Sequence, residues 1–217
     1  MKLASLLLAV GLTSGFAAAP FPAATDDEPL APQSSRETIV LSGGCFWGVQ
    51  AVFQHTRGVI TSTSGYAGGT LKSPSYEAVS MGRTGHAESV RVVYDASQIS
   101  LGTVLKVFFA VAHDPTELNR QGPDEGTQYR SMIQTTSDRQ AAVARAYIKQ
   151  LDDARVFRHK IVTEVVPLQA FYQAEGYHQD YVYLHPYEPY IAINDRPKVE
   201  NLKKGYPDLF VDKRSAF

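Results

Sequence analysis

The sequence predicts an α/β (α+β) two-layer sandwich: a mixed sheet with packed helices on a ferredoxin-like core. Three observations point there. Strand-like and helix-like segments are interleaved, yet some strands follow one another directly, so the order is not a strict strand–helix–strand series. The 217-residue chain has 44% hydrophobic and 20% charged residues, the balance of an ordinary globular protein. Beyond the first twenty residues it shows no internal repeat, heptad seam or long apolar run.

Met1 and Lys2 form a short positive start, followed by an apolar stretch from Leu3 to Leu12 and by Ala17, Ala18 and Ala19. This is the pattern of a secretory signal peptide over residues 1–19, too short for a membrane span of about 20 apolar residues. Residues 20–36 carry four prolines, the acidic triplet Asp26-Asp27-Glu28 and Ser34-Ser35. They are expected to be a disordered linker. One folded domain then covers residues 37–217, exported to a periplasm or secreted, with no membrane attachment after cleavage.

Within that domain Thr38–Leu41 reads as a strand running into Ser42-Gly43-Gly44. Phe46–Gln54 has the helical stripe Phe46, Val49, Phe53. Val59–Ser64 is a strand closed by Gly65-Tyr66-Ala67-Gly68-Gly69. Glu88, Val90, Val92 and Tyr94 alternate with Ser89, Arg91 and Val93, as in a half-buried strand. Ser100 is an N-cap for a helix with Leu101, Leu105, Phe108 and Phe109 on one face. Residues 116–127 are polar and glycine-containing, a loop. Gln128–Thr135 reads as a strand, Asp138–Leu151 as a helix capped by Ser137, Ile161–Leu168 as a strand and Pro197–Lys204 as a helix. The intervening tail, with Tyr177, Tyr181, Tyr183, Tyr187 and Tyr190, reads as irregular packing.

Lys and Arg total 21 against 22 Asp and Glu, a net charge of −1. Nothing in that balance calls for nucleic acid, and nothing in the pattern requires an oligomer, so a monomer is expected. The single cysteine excludes an intrachain disulfide and any zinc site needing two thiolates. Six histidines occur, none spaced as a metal motif, so no metal or bound cofactor is expected.

Cys45 sits between a strand and a helix start, where free backbone N–H groups and the helix dipole favour a thiolate. Gly44 before it allows a sharp turn, and Phe46 and Trp47 after it supply an apolar wall. A free cysteine is more often buried and inert; the flanking glycines and aromatics shift this one toward reactivity.

The segment Gly43-Gly44-Cys45-Phe46-Trp47-Gly48 resembles the active-site signature of the type A peptide methionine sulfoxide reductases. Four more segments resemble that family, in order: Gly65–Gly69, Gly85–Glu88, Asp124–Ser131 and Ala174–Tyr181. The resemblance implies reduction of the S epimer of methionine sulfoxide, free or in proteins, as a repair of oxidative damage. It implies Cys45 as nucleophile passing through a sulfenic acid, and Glu88 as the acid. It further implies Tyr66 and Tyr129 as phenols bonding the sulfoxide oxygen, and Asp124 as a second carboxylate. Phe46 and Trp47 correspond to the methyl pocket, beside Gly44. Many members carry further cysteines that reduce the sulfenic acid within the chain. This chain has none, so an external thiol is expected: a thioredoxin-like protein, a glutaredoxin-like protein or a small thiol.

Two other functions fit parts of the sequence. An exported thiol hydrolase would pair Cys45 with His86 or His178, although Glu88 would then have no task. A non-enzymatic exported module would use the aromatic residues as a binding cleft.

Overall fold

The computed structural model describes residues 21–212, and the expected signal peptide over 1–19 lies outside the described residues. The elements in chain order are β1 (Arg36–Ser42), α1 (Phe46–Gln54), β2 (Val59–Ala67), α2 (Tyr76–Ser80), β3 (Ala87–Asp95) and α3 (Leu101–Val107). They continue as β4 (Arg120–Gln121), β5 (Asp124–Glu125), β6 (Met132–Thr135), α4 (Asp138–Asp153) and β7 (Glu164–Pro167). The last are β8 (Phe171–Gln173), α5 (Tyr181–Leu184) and α6 (Arg196–Gly205).

Six strands form one mixed sheet in the order β7-β6-β1-β3-β2-β8, with helices packed against it. Only the β6–β7 pair is parallel. β3 is inserted antiparallel between β1 and β2. This central place changes the reading of β3. The expected alternation holds from Val90 to Tyr94, where Arg91 and Val93 are half-buried between buried neighbours, but from Ala87 to Val90 every residue is buried because both faces are covered.

The helix starts follow the local chemistry. Ser100 and Ser137 each accept a backbone N–H of the first turn, from Thr103 and Gln140. α3 does not stop at Val107 but widens into a π turn over Phe108–Ala112, which turns Phe108 and Phe109 into the core. Other expectations need correcting. The strand expected over 128–135 begins only at Met132, since Thr127–Tyr129 closes into a 3₁₀ turn. The loop at 116–127 contains the small hairpin β4–β5. The short helix α2 and strand β8 had no clear periodic signal and are fixed by long-range pairing, β8 against β2.

Residues 21–35 differ most from expectation. The segment expected to be disordered has defined partners along its length. Tyr147 Oη donates to the Pro22 carbonyl, and Thr25 N–H donates to Gln150 Oε1 at 2.9 Å. Asp26 pairs with Arg139, and Asp27 Oδ1 accepts the Gly102 N–H. Phe21 packs edge-on against Phe157 with ring centres 6.0 Å apart. Ser34 and the Ser35 N–H both bond Asp95. Its composition is that of a linker, but these groups meet fixed partners on α3, α4 and β3.

Candidate active site

Cys45 is the residue at the N-terminal boundary of α1, and only 7% of it is exposed. Gly44 lets the chain reach it: its φ is +86°, and a Cβ there would stand 2.5 Å from the Gln121 side chain. Any other residue would be strained and would collide. The charge state of Cys45 departs from expectation. Burial pushes the thiol well above its ordinary value, and the nearby Glu88 and Asp195 carboxylates add to the rise. Lys198 and the Trp47 backbone N–H pull the other way, but less. Desolvation outweighs the helix start, so the free site holds a thiol rather than the stabilised thiolate.

Glu88, near the start of β3, is 3% exposed. Its Oε2 accepts the Phe46 N–H at 2.9 Å, which ties the carboxyl to the residue after the nucleophile. Burial raises Glu88 to about 8, with the Phe46 bond opposing and Asp124 and Asp195 adding. At neutral pH it is mostly protonated. With Oε2 accepting, Oε1 is left to carry the proton.

Tyr66 lies directly across from Glu88 in the β2–β3 register, yet its hydroxyl donates to Glu175 Oε2 at 2.8 Å. The structure therefore gives the Tyr66 hydroxyl another partner than the one the resemblance implied. Glu175 Oε1 accepts the Tyr76 N–H at 2.9 Å, so Tyr66 braces the start of α2 through Glu175. Tyr76 is a phenol whose ionisation is opposed first by burial, then by both Glu88 and Cys45. Tyr129 shares that position: burial raises it, and Glu88, Asp124, Tyr76 and Cys45 add. Tyr76 and Tyr129 thus both feel the charges of the thiol and the carboxyl.

Asp124 is half-buried and accepts a hydrogen bond from Tyr190 Oη. Burial raises this carboxyl, while Tyr190 and Lys198 lower it. Phe46 is buried beside Tyr66 and His178, at ring separations of 5.8 and 5.0 Å. Trp47 stacks on Tyr181 at 3.9 Å and meets Tyr190 edge-on. Its Nε1–H donates to His178 Nδ1 at 3.1 Å. The tail tyrosines Tyr181 and Tyr190 therefore help build the wall, where irregular packing was expected.

The three buried histidines each bond partners other than Cys45. His178 Nδ1 accepts from Trp47, because an indole N–H only donates. His86 bonds the Gly69 N–H and the Leu71 carbonyl with its two ring nitrogens. His113 is occupied by the Phe108 carbonyl and Ser131 Oγ. Among the described residues there is no group of three His, Cys, Asp or Glu side chains able to hold a metal ion.

Sequence reasoning missed Tyr76, Glu175, Tyr190, Asp195 and Lys198. Only Tyr76 had a usable signal, in Ser75 as an N-cap accepting from Ala78. The others join the site through contacts of long sequence separation. A groove of about 430 Å3 lined by Gln54, His55, Tyr183 and Lys203 lies behind α1 and does not include Cys45.

Fold and site together define a mixed α/β enzyme with a buried single-thiol centre beside a proton-holding carboxyl. A family model described as peptide methionine sulfoxide reductase matches residues 37–208. The chain belongs to that family and is an oxidoreductase of its A type. It is 53% identical over 187 residues to the peptide methionine sulfoxide reductase MsrA 2 of Mesorhizobium japonicum, covering 86% of this chain and 95% of that one. Methionine sulfoxide reductase A of Corynebacterium diphtheriae superposes with a TM-score of 0.62 at 39% identity, over 73% of this chain and 80% of that one. Reduced Mxr1 from Saccharomyces cerevisiae superposes with a TM-score of 0.63 at 32% identity, over 76% and 92% of the two chains.

Proposed function

We propose that this reductase takes the S epimer of methionine sulfoxide, free or in proteins, and turns over through a Cys45 sulfenic acid. The observation that carries the reading is the Glu88 carboxyl, buried, protonated near neutrality and tied to the Phe46 N–H.

The sulfoxide methyl enters the wall of Phe46 and Trp47. Its oxygen meets Glu88, Tyr76 and Tyr129. Protonation or strong hydrogen bonding by Glu88 makes that oxygen a competent leaving group. Cys45 supplies the electron pair: its sulfur is oxidised by two electrons as the substrate sulfur is reduced by two. The products are methionine and Cys45–SOH, and the oxygen has moved from one sulfur to the other. Donors fixed on one side of the pocket select handedness, which apolar burial alone would do weakly. Of the phenols implied by resemblance, Tyr129 keeps its direct role, Tyr76 takes the second, and Tyr66 acts through Glu175.

An external thiol then attacks Cys45–SOH, releasing water and leaving a mixed disulfide. A second thiol returns Cys45 to its reduced form. The basis is the count of one cysteine in the sequence. The class of thiol is that of a thioredoxin-like protein, a glutaredoxin-like protein or a small thiol. The Met1–Ala19 pattern supports export to a periplasm or secretion, and with it a role in repair of oxidised proteins. The Cys–His hydrolase is disfavoured because both ring nitrogens of His86 and the Nδ1 of His178 have other partners, and it leaves the buried Glu88 without a task.

The test is reduction of each sulfoxide epimer separately, with dithiothreitol as reductant. Wild type reduces the S epimer, gains one oxygen mass on Cys45 when substrate is given without thiol, and Cys45→Ser is inactive. Reduction by Cys45→Ser would overturn the reading.

A further inference from the structure

Asp195 is a carboxylate with no solvent exposure, at the N-terminal boundary of α6. Its Oδ1 meets Lys198 Nζ at 3.1 Å, while its buried Oδ2 has no hydrogen-bond partner among the described residues. The pair is seated against the first turn of α1. A Cβ added to Gly48 would stand 2.1 Å from Asp195 Oδ1 and 2.8 Å from Lys198 Nζ. Gly48 lies within one helical turn of Cys45, so the last glycine of the GGCFWG segment makes room for this ion pair. A buried ion pair adds little net stability over well-packed apolar side chains. Its seat beside the nucleophile gives it an electrostatic use instead.

We propose that the Asp195–Lys198 pair sets the charge state of the Cys45 thiol. Asp195 adds to the burial and the Glu88 carboxyl that keep the sulfur protonated in the free site, and Lys198 supplies the counter-charge when it ionises. Both are positioning groups that act on Cys45 through the field at the start of α1.

The charges around Cys45 agree with this from each neighbouring element. Glu88 of β3 and Asp195 oppose ionisation, while Lys198 of α6 favours it. The phenols Tyr76, Tyr129, Tyr181 and Tyr190 also feel the Cys45 charge. Lys198 acts as well on Asp124 and His113, and Asp195 on Glu88 and Tyr190. Removing either member of the pair therefore shifts Cys45 in the opposite direction from removing the other.

The inference rests on Cys45 as nucleophile, and its test measures the thiol directly. Iodoacetamide labelling of Cys45 is followed from about pH 6 to about pH 10 in the full chain, with no sulfoxide present. Lys198→Met should slow labelling at about pH 8 by about three- to tenfold, and Lys198→Arg should restore it. Asp195→Asn should speed labelling by a similar factor. If Lys198→Met does not fold, Asp195→Asn is compared with the double variant Asp195→Asn/Lys198→Met, which lacks both charges and should label more slowly than the single one. Profiles that coincide with wild type, or shift the same way for both partners, overturn the proposal. Wild type that reduces neither sulfoxide epimer while these labelling shifts hold would instead count against the reductase mechanism alone.

Discussion

Replacing Glu88 by Gln keeps the shape of the side chain and removes the proton that the mechanism requires. The carboxyl moves from its ordinary 4.5 to about 8 on folding because burial penalises its charge. At about 1.4 kcal/mol per pH unit, that displacement is worth about 5 kcal/mol at most. Relaxation and water entry reduce it, so we expect about 2–5 kcal/mol. The sign follows from proton binding. Between pH 4.5 and about 8 the folded protein keeps a proton that the unfolded chain has lost, so this group's stabilising effect declines as pH rises through that window. Below the window it is fully present, and above it no further change occurs. Gln titrates nowhere in the range. Urea unfolding of wild type and Glu88→Gln at about pH 5, 7 and 9 should therefore show the variant gaining on wild type by about 2–5 kcal/mol between the ends. The same variant should lose about 10²–10⁴-fold in turnover, the usual worth of a placed general acid. A stability difference that does not change with pH would refute the protonated Glu88 and the acid role built on it.

Four further perturbations test roles that the geometry assigns. Tyr76→Phe should lower kcat by about 10- to 100-fold by removing a donor to the developing charge. Tyr66→Phe should instead cost about 0.5–1.5 kcal/mol of stability, because Glu175 loses a partly buried hydrogen bond, with a smaller effect on turnover. Steady-state kinetics beside denaturant unfolding would expose the reverse order. Gly48→Ala should destabilise the fold by about 2–4 kcal/mol, since the new methyl meets the buried Asp195 carboxylate and not a flexible chain end. A thermal scan showing an unchanged midpoint would contradict that packing. Removing residues up to Gln33 should lower stability by about 2–4 kcal/mol, because it uncovers Phe157 and strips Tyr147, Gln150 and Arg139 of their partners. An untouched unfolding midpoint would make the segment a mere tether.

Most of the scaffold was legible because its signals are local. Phe46–Gln54 shows its stripe, and Ser100 and Ser137 cap their helices from adjacent positions. Cys45 was legible for the same reason, since its glycines and aromatics are its chain neighbours. β8 was not, because three residues carry too little periodicity until β2 pairs with them. The segment 21–35 misled because composition reports its prolines, acidic residues and serines, not the partners waiting on α3 and α4.

The sequence by itself determined the candidate nucleophile, the order of the main strands and helices, and the count of one cysteine. Only the tertiary structure showed that the Tyr66 hydroxyl is taken by Glu175, whose other oxygen accepts the Tyr76 N–H. It also decided the protonation of Cys45 and Glu88. Those depend on how much water packing removes and which charges it brings close, and both are fixed by residues far apart in the chain, such as Phe46 with Glu88 and Cys45 with Asp195.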